Sequence, residues 1–254
     1  SLHDALPICP DGEAPQDEES SVPEVYTEEE LAAVEGHIQQ YFGKFGHVFH
    51  ELSSPDIHVD ICVVPPSQER DYYTLVTMGM GAHRMNVPEA LAEYKLERAE
   101  LAIALPRNWK LKHEDLKNER WYWPIRLLKT LARLPIASDT WLGFGHTMDN
   151  EEDFAENTKL CAAILTPPQG TEDGSEVCTL PGGEEVNFYQ VLPLYRDELE
   201  YKLAHDADAL LDKMNGISFV AEPDRQNAAT SGTLSDGNPI GNMDDAAWHL
   251  ETIR

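Results

Sequence analysis

"DYYTLVTMGMGAHRM", residues 71–85, begins like a β-strand and ends in glycines, a histidine and an arginine. Tyr73, Leu75 and the threonines beside them are aromatic, apolar and β-branched residues that favour a pleated strand. Gly79, Gly81 and the polar residues that follow are typical of a phosphate-binding loop, of an active site or of an ordinary strand end. The choice among these three decides how the rest of the chain is interpreted.

The glycine pair does not complete a nucleotide-binding motif. A dinucleotide fingerprint, G-x-G-x-x-G, would need a third glycine at position 84, which is Arg84, and a helix after it. Pro88 follows shortly, and the Gly-Lys-Ser or Gly-Lys-Thr of a Walker loop is absent. We therefore interpret Gly79 and Gly81 as residues that permit a bulge or a close backbone approach at the end of a strand.

Elements before this stretch are predicted from spacing and caps. A helix begins after Thr27, which forms a capping box with Glu30, and it ends at Gly43. Strands are predicted at 47–52, 57–64 and 71–80. Residues 95–105 contain good helix formers, but ELAIALP alternates and ends at a proline, which favours a strand.

The second half of the chain is predicted to continue with helices and short strands. PIRLLKTLARL, 124–134, is a helix that starts at Pro124 and that Pro135 ends. Strands are predicted at 160–166, 175–180 and 186–194, with a turn at Gly182 and Gly183. A helix follows over 195–214 with Leu199, Leu203, Leu210 and Met214 on its apolar face, and residues 217–221 form a further strand.

These elements indicate an α+β domain with a mixed, mainly antiparallel sheet and packed helices. We predict three regions: a disordered N-terminal segment over 1–25, the folded domain over 26–222, and a loosely ordered tail over 223–254 with a weak helix near Trp248. The first segment is rich in Pro, Glu, Asp and Ser and cannot bury enough apolar surface to fold.

Composition narrows the classes of function. The net charge is −27, which disfavours nucleic-acid binding and would steer a basic partner towards the chain. No apolar run approaches the roughly 18 residues of a membrane helix, so we expect a soluble protein. The four cysteines form no C-x-x-C pair, and reduced thiols in a cytoplasmic protein are the expectation.

Few residues of the sequence are candidates for a metal site or a catalytic site. His47, His50, His58 and Asp60 are the best metal candidates, but on strands at most three of them converge, and we favour a buried or partner-facing polar pair. Cys62 shares the strand face of His58 and Asp60 but has no recognisable activating environment. We expect no catalytic residue, no metal and no cofactor.

A resemblance to a known family rests on the opening stretch. SSPDIHVDICVVPPSQERDYYTLVTMGMGAHRM followed by YKLERAELAIALP resembles the core of the Suppressor of fused (SUFU) domain family. The specific parts are RDYYTLVTMGMGAHRMNVP and the acidic strand that closes at Leu105-Pro106. The helix segment WYWPIRLLKTLARLP resembles bacterial members. The similarity extends over residues 26–220 and is strongest at 54–106.

The resemblance implies an α+β domain that works by binding proteins. The animal member clasps an extended peptide as an added β-strand, and immunity-type neutralisation of a toxin is suggested for bacterial members. A basic toxin would suit the charge of this chain. The chain is shorter than the animal protein, so neither a second lobe nor a role in hedgehog signalling is implied, and no peptide-contact residue is carried over.

Our leading interpretation is a non-enzymatic, cytoplasmic protein-binding domain. We expect its partner to be a basic toxin or an extended peptide, and we expect it to bind neither nucleic acid nor a membrane. Its predicted partner contacts are Tyr72, Tyr73, Met78, Met80, His83 and Arg84. An alternative is an enzyme or small-ligand protein that uses His58, Asp60, His83 and Arg84. A structural domain within a larger chain is a third interpretation.

Overall fold

The computed structural model describes residues 22–52, 54 and 56–230, together with the backbone of 252–253. The strands are β1 (His47–Phe49), β2 (Asp60–Val64), β3 (Tyr72–Met78), β4 (Ala99–Pro106), β5 (Thr147–Asp149), β6 (Leu160–Thr166), β7 (Val177–Thr179), β8 (Glu185–Tyr195) and β9 (Thr252–Ile253). The helices are α1 (Glu28–His37), α2 (Glu119–Ser138), α3 (Arg196–Ala204) and α4 (Ala207–Lys213).

These strands form one mixed sheet, in the order β1-β2-β3-β4-β8-β6-β5-β9, with β7 paired to β8. Neighbours are antiparallel except for two parallel pairs, β4 with β8 and β5 with β9. The predicted α+β class with a mainly antiparallel sheet is confirmed. In the parts of the chain that the structure describes, no helix has the length and apolar character needed to cross a bilayer.

Helices cover both faces of the sheet. On one face α2 packs its leucines and Trp123 against alternate residues of the central strands, such as Ile61 and Ile103. On the other face α1 covers the first strands, and α3 and α4 cover β6 and the end of β8. A strand that is covered on both faces reads as a continuous apolar run, and this explains why β4 is buried along Ala99–Leu105.

Several predictions from local sequence are confirmed. Thr27 caps α1, and its capping box with Glu30 is formed in both directions. The helical segment continues through a single π-helical turn, Ile38–Phe42, and ends at Gly43. Residues 99–105 of the ambiguous segment 95–105 lie in β4, as the alternation of ELAIALP predicted, whereas residues 95–98 precede the strand.

The first two strands are shorter than predicted. Backbone N–H groups that a longer ladder would have used donate instead to the carboxylates of Glu51 and Asp60. The Glu51 N–H donates to Asp60 Oδ1 at 3.0 Å, and the Val59 N–H donates to Glu51 Oε2 at 3.1 Å. Local side-chain acceptors compete with the sheet in this way.

The limits predicted for α2 are wrong. The helix starts at Glu119, because the Asn118 side chain caps it, so Pro124 lies inside the helix. It also continues past Pro135 to Ser138 and ends at Asp139, whose φ is 46°. A proline removes one helical hydrogen bond, and at position 135 its ring is buried against the core, which offsets that loss.

The single helix predicted over 195–214 is also wrong. His205 leaves the helical conformation, and Asp206 caps a new helix by accepting from the Ala209 N–H at 2.7 Å. An aspartate that caps a helix competes with helix continuation. Leu203 is 48% exposed, whereas Leu199 and Leu210 are buried as predicted.

Residues 217–221, predicted as a strand, form only an isolated bridge between Val220 and Ala104. The helix predicted near Trp248 lies outside the described residues, as do residues 1–21 of the N-terminal segment. The domain boundaries stay predictions.

A buried ion pair attaches residues 223–230 to α3. Arg225 donates to both carboxylate oxygens of Glu198, which is fully buried, and also to the Pro193 carbonyl. The Ala228 N–H donates to the same carboxylate at 2.7 Å. Because each partner satisfies the other away from water, the segment and the helix stabilise each other.

We expect Arg225→Ala to lower the free energy of unfolding by about 3–5 kcal/mol, because it leaves the Glu198 charge buried without its cation. Urea denaturation measures this. The matched control is Arg107→Ala, which breaks an exposed pair with Asp71 and should change the stability by no more than about 0.5 kcal/mol. Equal effects of the two substitutions would contradict the role assigned to the buried pair.

Candidate functional site

The Gly79-Met80-Gly81 segment folds around a carboxylate of the protein itself. Glu100, in β4, is fully buried. Its Oε1 accepts from the backbone N–H groups of Gly79 (2.8 Å) and Gly81 (3.1 Å) and from the Tyr26 hydroxyl (2.8 Å). Its Oε2 accepts from the Thr77 hydroxyl at 2.5 Å. The N–H groups that a phosphate loop would offer to a ligand are therefore occupied by Glu100.

Both glycines are required by this packing. Gly79 has a φ of 132°, and a Cβ there would lie 2.0 Å from the carbonyl oxygen of His58. A Cβ on Gly81 would lie 2.2 Å from the Tyr26 hydroxyl oxygen. The interpretation of the two glycines as points of close backbone approach is confirmed.

Burial dominates the electrostatics of this cluster. Loss of hydration raises the pKa of the Glu100 carboxyl, and the hydrogen bonds from Thr77 and Gly79 oppose the rise. Burial and the adjacent Glu100 charge hold the pKa of Tyr26 well above its ordinary value. Tyr26 therefore stays a hydrogen-bond donor, and the cluster joins the N-terminal segment to β3 and β4.

The predicted polar group at 58–84 does not converge. His58 Nε2 lies 3.1 Å from Asp60 Oδ1, so these two residues meet as expected. His83 instead pairs with Glu24, its Nδ1 lying 3.0 Å from Oε1, and Arg84 pairs with Glu184. The four residues of the predicted site are thus divided among three ion pairs.

The histidines near β1 are bound in a hydrogen-bonded network. His50 Nδ1 lies 2.9 Å from Asp60 Oδ2, and the Ser54 hydroxyl lies 3.0 Å from His58 Nδ1. His47 packs its ring edge-on against Phe49, apart from that network. Within the described residues, no group of three or more His, Cys, Asp or Glu side chains is placed to hold a metal ion.

The thiol of Cys62 is not activated. Burial is the main cause that raises its pKa, and the charges of Glu100 and Asp60 act in the same direction. A nucleophilic cysteine needs the opposite shift. Three basic residues of α2 lie beside carboxylates: Arg126 beside Glu119, Lys129 beside Glu51, and Arg133 beside Glu51 and Asp56.

The predicted partner contacts are spread over different environments. Met80 is 3% exposed and lies in the core, which leaves it no surface for a partner to contact. Met78 is half-buried beside Cys62, their sulfurs 3.9 Å apart. Tyr72 packs edge-on against Phe219, and Tyr73 lines an open cavity. Among these six residues, His83 and Arg84 are held in the ion pairs described above.

At the far end of the sheet, β5 has strands paired on both of its sides. β5 pairs with β6 on its inner side, where the His146 carbonyl accepts from Leu165 N–H (3.0 Å) and the Asn150 N–H donates to Cys161 (2.9 Å). Backbone groups alternate along a strand, so those of Thr147 and Asp149 point outward. On that outer side the backbone of β9 pairs with β5 in parallel.

A cavity of about 530 Å³ lies at the end of β5. Four of its six charged lining residues are acidic, and Lys159 and Arg196 are the cations. The full lining is Glu151, Glu152, Asp153, Lys159, Cys161, Tyr195, Arg196, Asp197 and Asn227. Arg196 is committed to Asp149, with bonds of 2.7 and 2.8 Å to its two oxygens.

Comparison with known proteins decides the family. The family model described as Suppressor of fused protein (SUFU) matches residues 55–226. The chain belongs to the SUFU family. None of the curated protein sequences compared with this SUFU chain matches it.

Solved structures share the SUFU fold. A SUFU homologue from Neisseria gonorrhoeae superposes with a TM-score of 0.56 at 16% identity, covering 80% of this chain and 98% of that one. A chain of the Sufu–Fu complex gives a TM-score of 0.56 at 16% identity, covering 82% and 93%. Drosophila Suppressor of Fused gives 0.51 at 16% identity and covers 79% of this chain. The match spans only 51% of that longer protein.

Sequence reasoning missed both the Glu100 cluster and β5. A single carboxylate inside the apolar run of β4 was the available signal, since a charge is buried only with partners. β5 has three residues, too few for a periodicity to be recognised.

We expect Gly79→Ala to destabilise the SUFU domain by about 2–4 kcal/mol, because the φ of Gly79 is unfavourable for alanine and the new Cβ meets the His58 carbonyl. Thermal or urea unfolding measures the change. Gly182→Ala is the control, because a Cβ there meets nothing within 4 Å. A Gly79→Ala protein as stable as the control protein would show that the segment relaxes freely.

The pH dependence of stability should report on Glu100. Because its folded-state pKa is raised, the folded state binds this proton more tightly, and stability falls as pH rises from the unfolded value of about 4.3 through the folded value. Glu100→Gln removes this fall. The free energy of unfolding of the Glu100→Gln protein, relative to that of the natural chain, should therefore increase as pH rises from about 5 to 7. Urea titrations at several pH values test this. A constant difference would exclude a raised pKa.

Proposed function

We propose that this SUFU domain binds a partner protein, without catalysis of its own, by accepting an extended segment as a strand on the outer edge of β5. The observation that carries the proposal is the parallel pairing of Thr147 and Met148 with Thr252 and Ile253. This pairing supports the outer edge of β5 as an edge that takes an added strand, and a partner segment would replace β9 there. Main-chain hydrogen bonds would supply affinity, and neighbouring side chains would supply specificity.

Membership of the SUFU family supports protein binding. A structural neighbour is a chain of the Sufu–Fu complex. Helices cover both faces of the sheet in this chain, so a partner strand has access mainly at the edges. The separate ion pairs of His58, His83 and Arg84 give no support to the enzyme interpretation.

We further propose that the partner of the β5 edge is basic. The net charge of −27 would speed its approach, and the carboxylates of Glu151, Glu152 and Asp153 beside β5 would select basic residues once it is bound. A basic toxin that this chain neutralises is the form of partner we propose. A cytoplasmic location is supported by the unpaired, buried state of Cys62, Cys161 and Cys178.

Affinity purification with the full chain as bait tests the proposal. We expect a basic protein to be captured from a lysate of the source organism at about 50 mM salt and to be partly released at about 300 mM. Glu151→Lys/Glu152→Lys should weaken its binding at least about tenfold. The control is Glu172→Lys/Asp173→Lys, which reverses two adjacent exposed carboxylates away from β5.

Equal weakening by the two double variants would indicate long-range charge without a defined site on β5. Capture of no protein at either salt concentration would reject the proposal. The toxin role has its own test, which is co-expression of the chain with the product of the neighbouring gene. Growth that the SUFU chain does not restore would reject neutralisation while leaving protein binding in place.

A further inference from the structure

The strand on the outer side of β5 belongs to this chain itself. β9 pairs Thr252 with Thr147 and Ile253 with Met148, and the two strands run in the same direction. Residues 231–251 connect β9 to the part of the domain that ends at Thr230. The edge that we propose for a partner segment is therefore occupied by residues of the same chain, and binding of the partner is a competition with them.

A short ladder holds β9 on this edge. β9 has two residues and β5 has three. A ladder hydrogen bond contributes little net stabilisation, because the same backbone groups bond to water when the strand leaves. A partner segment that pairs with β5 and also contacts the carboxylates beside it would make interactions that a two-residue ladder lacks. Such a segment can therefore displace β9.

The covalent connection makes β9 an effective competitor in spite of its length. A segment that is joined to its own binding site reaches an effective concentration on the order of millimolar. A free partner at a lower concentration binds to the fraction of chains in which the β5 edge is unoccupied, and its apparent affinity is reduced by that fraction. Occupation of the edge by β9 would therefore set the concentration at which a partner begins to bind.

The two faces of the sheet at β5 determine which side chains suit an added strand. Met148 lies in the core cluster with α2. Successive side chains of a strand alternate between the faces, so Asp149 lies on the other face, where Arg196 of α3 binds it. A strand parallel to β5 would then lead towards the acidic cavity that residues 151–153 line. The pattern that fits is an aliphatic residue opposite Met148, followed by basic residues.

The tail of this chain has the beginning of that pattern. Ile253 is the residue paired with Met148, and Arg254 follows it in the sequence. We propose that Thr252–Ile253 is an internal competitor, which resembles the partner segment and occupies the β5 edge until a partner with further basic residues displaces it. This inference rests on the proposed function, in which the β5 edge binds a basic partner, and it adds the order of residues in the partner strand and the direction of that strand.

Peptide binding to the full chain tests the competitor before the partner is known. The probe is a fluorescently labelled peptide, WHLETIRKR, which has the sequence of residues 248–254 followed by lysine and arginine. Proline disrupts strand pairing, and aspartate replaces the aliphatic residue, so Thr252→Pro/Ile253→Asp (the tail variant) should release the edge. Its affinity for the probe should exceed that of the natural chain at least about tenfold. Fluorescence anisotropy measures both affinities, and equal values would overturn the proposal.

A matched variant and a matched peptide serve as controls. Thr233→Pro/Ile240→Asp makes the same two substitutions elsewhere in the tail, so it changes the net charge equally and should bind the probe as weakly as the natural chain. The peptide KRWHLETIR has the composition of the probe but carries the added basic residues at its other end, and it should bind the tail variant more weakly. Equal affinity of the two peptides would overturn the direction assigned to the added strand. Circular dichroism confirms that the variants fold.

Hydrogen exchange measures whether the edge itself is released. The backbone groups of Thr147 and Asp149 point to the outer side of β5, so their amide protons should exchange faster in the tail variant, and bound probe should slow them again. The Leu165 N–H, which donates to the His146 carbonyl on the inner side, should keep its rate. Unchanged exchange of the two outer amides would overturn the proposal.

The affinity purification described above, with two baits, separates this inference from the proposed function. The tail variant should capture more of a basic protein than the natural chain does when that protein is limiting. Equal capture by the two baits overturns the internal competitor and leaves the proposed function in place. Capture by neither bait, together with tighter binding of the probe to the tail variant, rejects the basic partner and supports the competitor.

Exchange of β9 between two copies of the chain is the remaining alternative. Sedimentation of the natural chain and of the tail variant tests it. A dimeric natural chain with a monomeric tail variant would assign the paired strand to a second copy and overturn an internal competitor. A monomeric natural chain that binds the probe more weakly than the tail variant supports the proposal.

Discussion

The carboxyl group of Glu100 accepts hydrogen bonds from residues that are distant in sequence, and the arrangement of the first half of the domain depends on them. Tyr26 joins the N-terminal segment to this carboxyl group, and Thr77 joins the end of β3 to it. The N–H groups of Gly79 and Gly81 join the turn that follows. A buried carboxyl group is unfavourable unless its oxygens are satisfied. All four donors must therefore contact the Glu100 carboxyl group in the folded state. This requirement fixes how β3 ends and where α1 begins.

The same constraint explains the form of the glycine segment. Successive N–H groups that point to one place make an anion-binding concavity, and in nucleotide-binding proteins the anion is a ligand. Here it is a side chain of the neighbouring strand. A sequence pattern that suggests ligand chemistry thus serves an internal role, and surface recognition is left to other parts of the domain.

Helices on both faces leave the edges of the sheet as the places where a strand can be added. At one end β9 pairs with the outer side of β5, beside a cavity in which four of the six charged residues are acidic. At the other end the cavity beside β1 has two lysines and two carboxylates in its lining, so its charges balance. Neither the net charge nor the family relation contains this difference between the two ends.

Local patterns in the sequence by themselves determined the capping box at Thr27, the strand character of β4, β6 and β8, and the membership of the SUFU family, because each depends on neighbouring residues in the chain. They failed at two points. Pro135 lies within α2 because the core buries its ring, and the helix at 195–214 divides because Asp206, a local capping signal, starts a second helix. Only the tertiary structure decided the partners of Glu100, the separation of His58 from His83 and Arg84, and the charges at the sheet edges. These depend on contacts between residues far apart in the chain, whose distances no local spacing encodes.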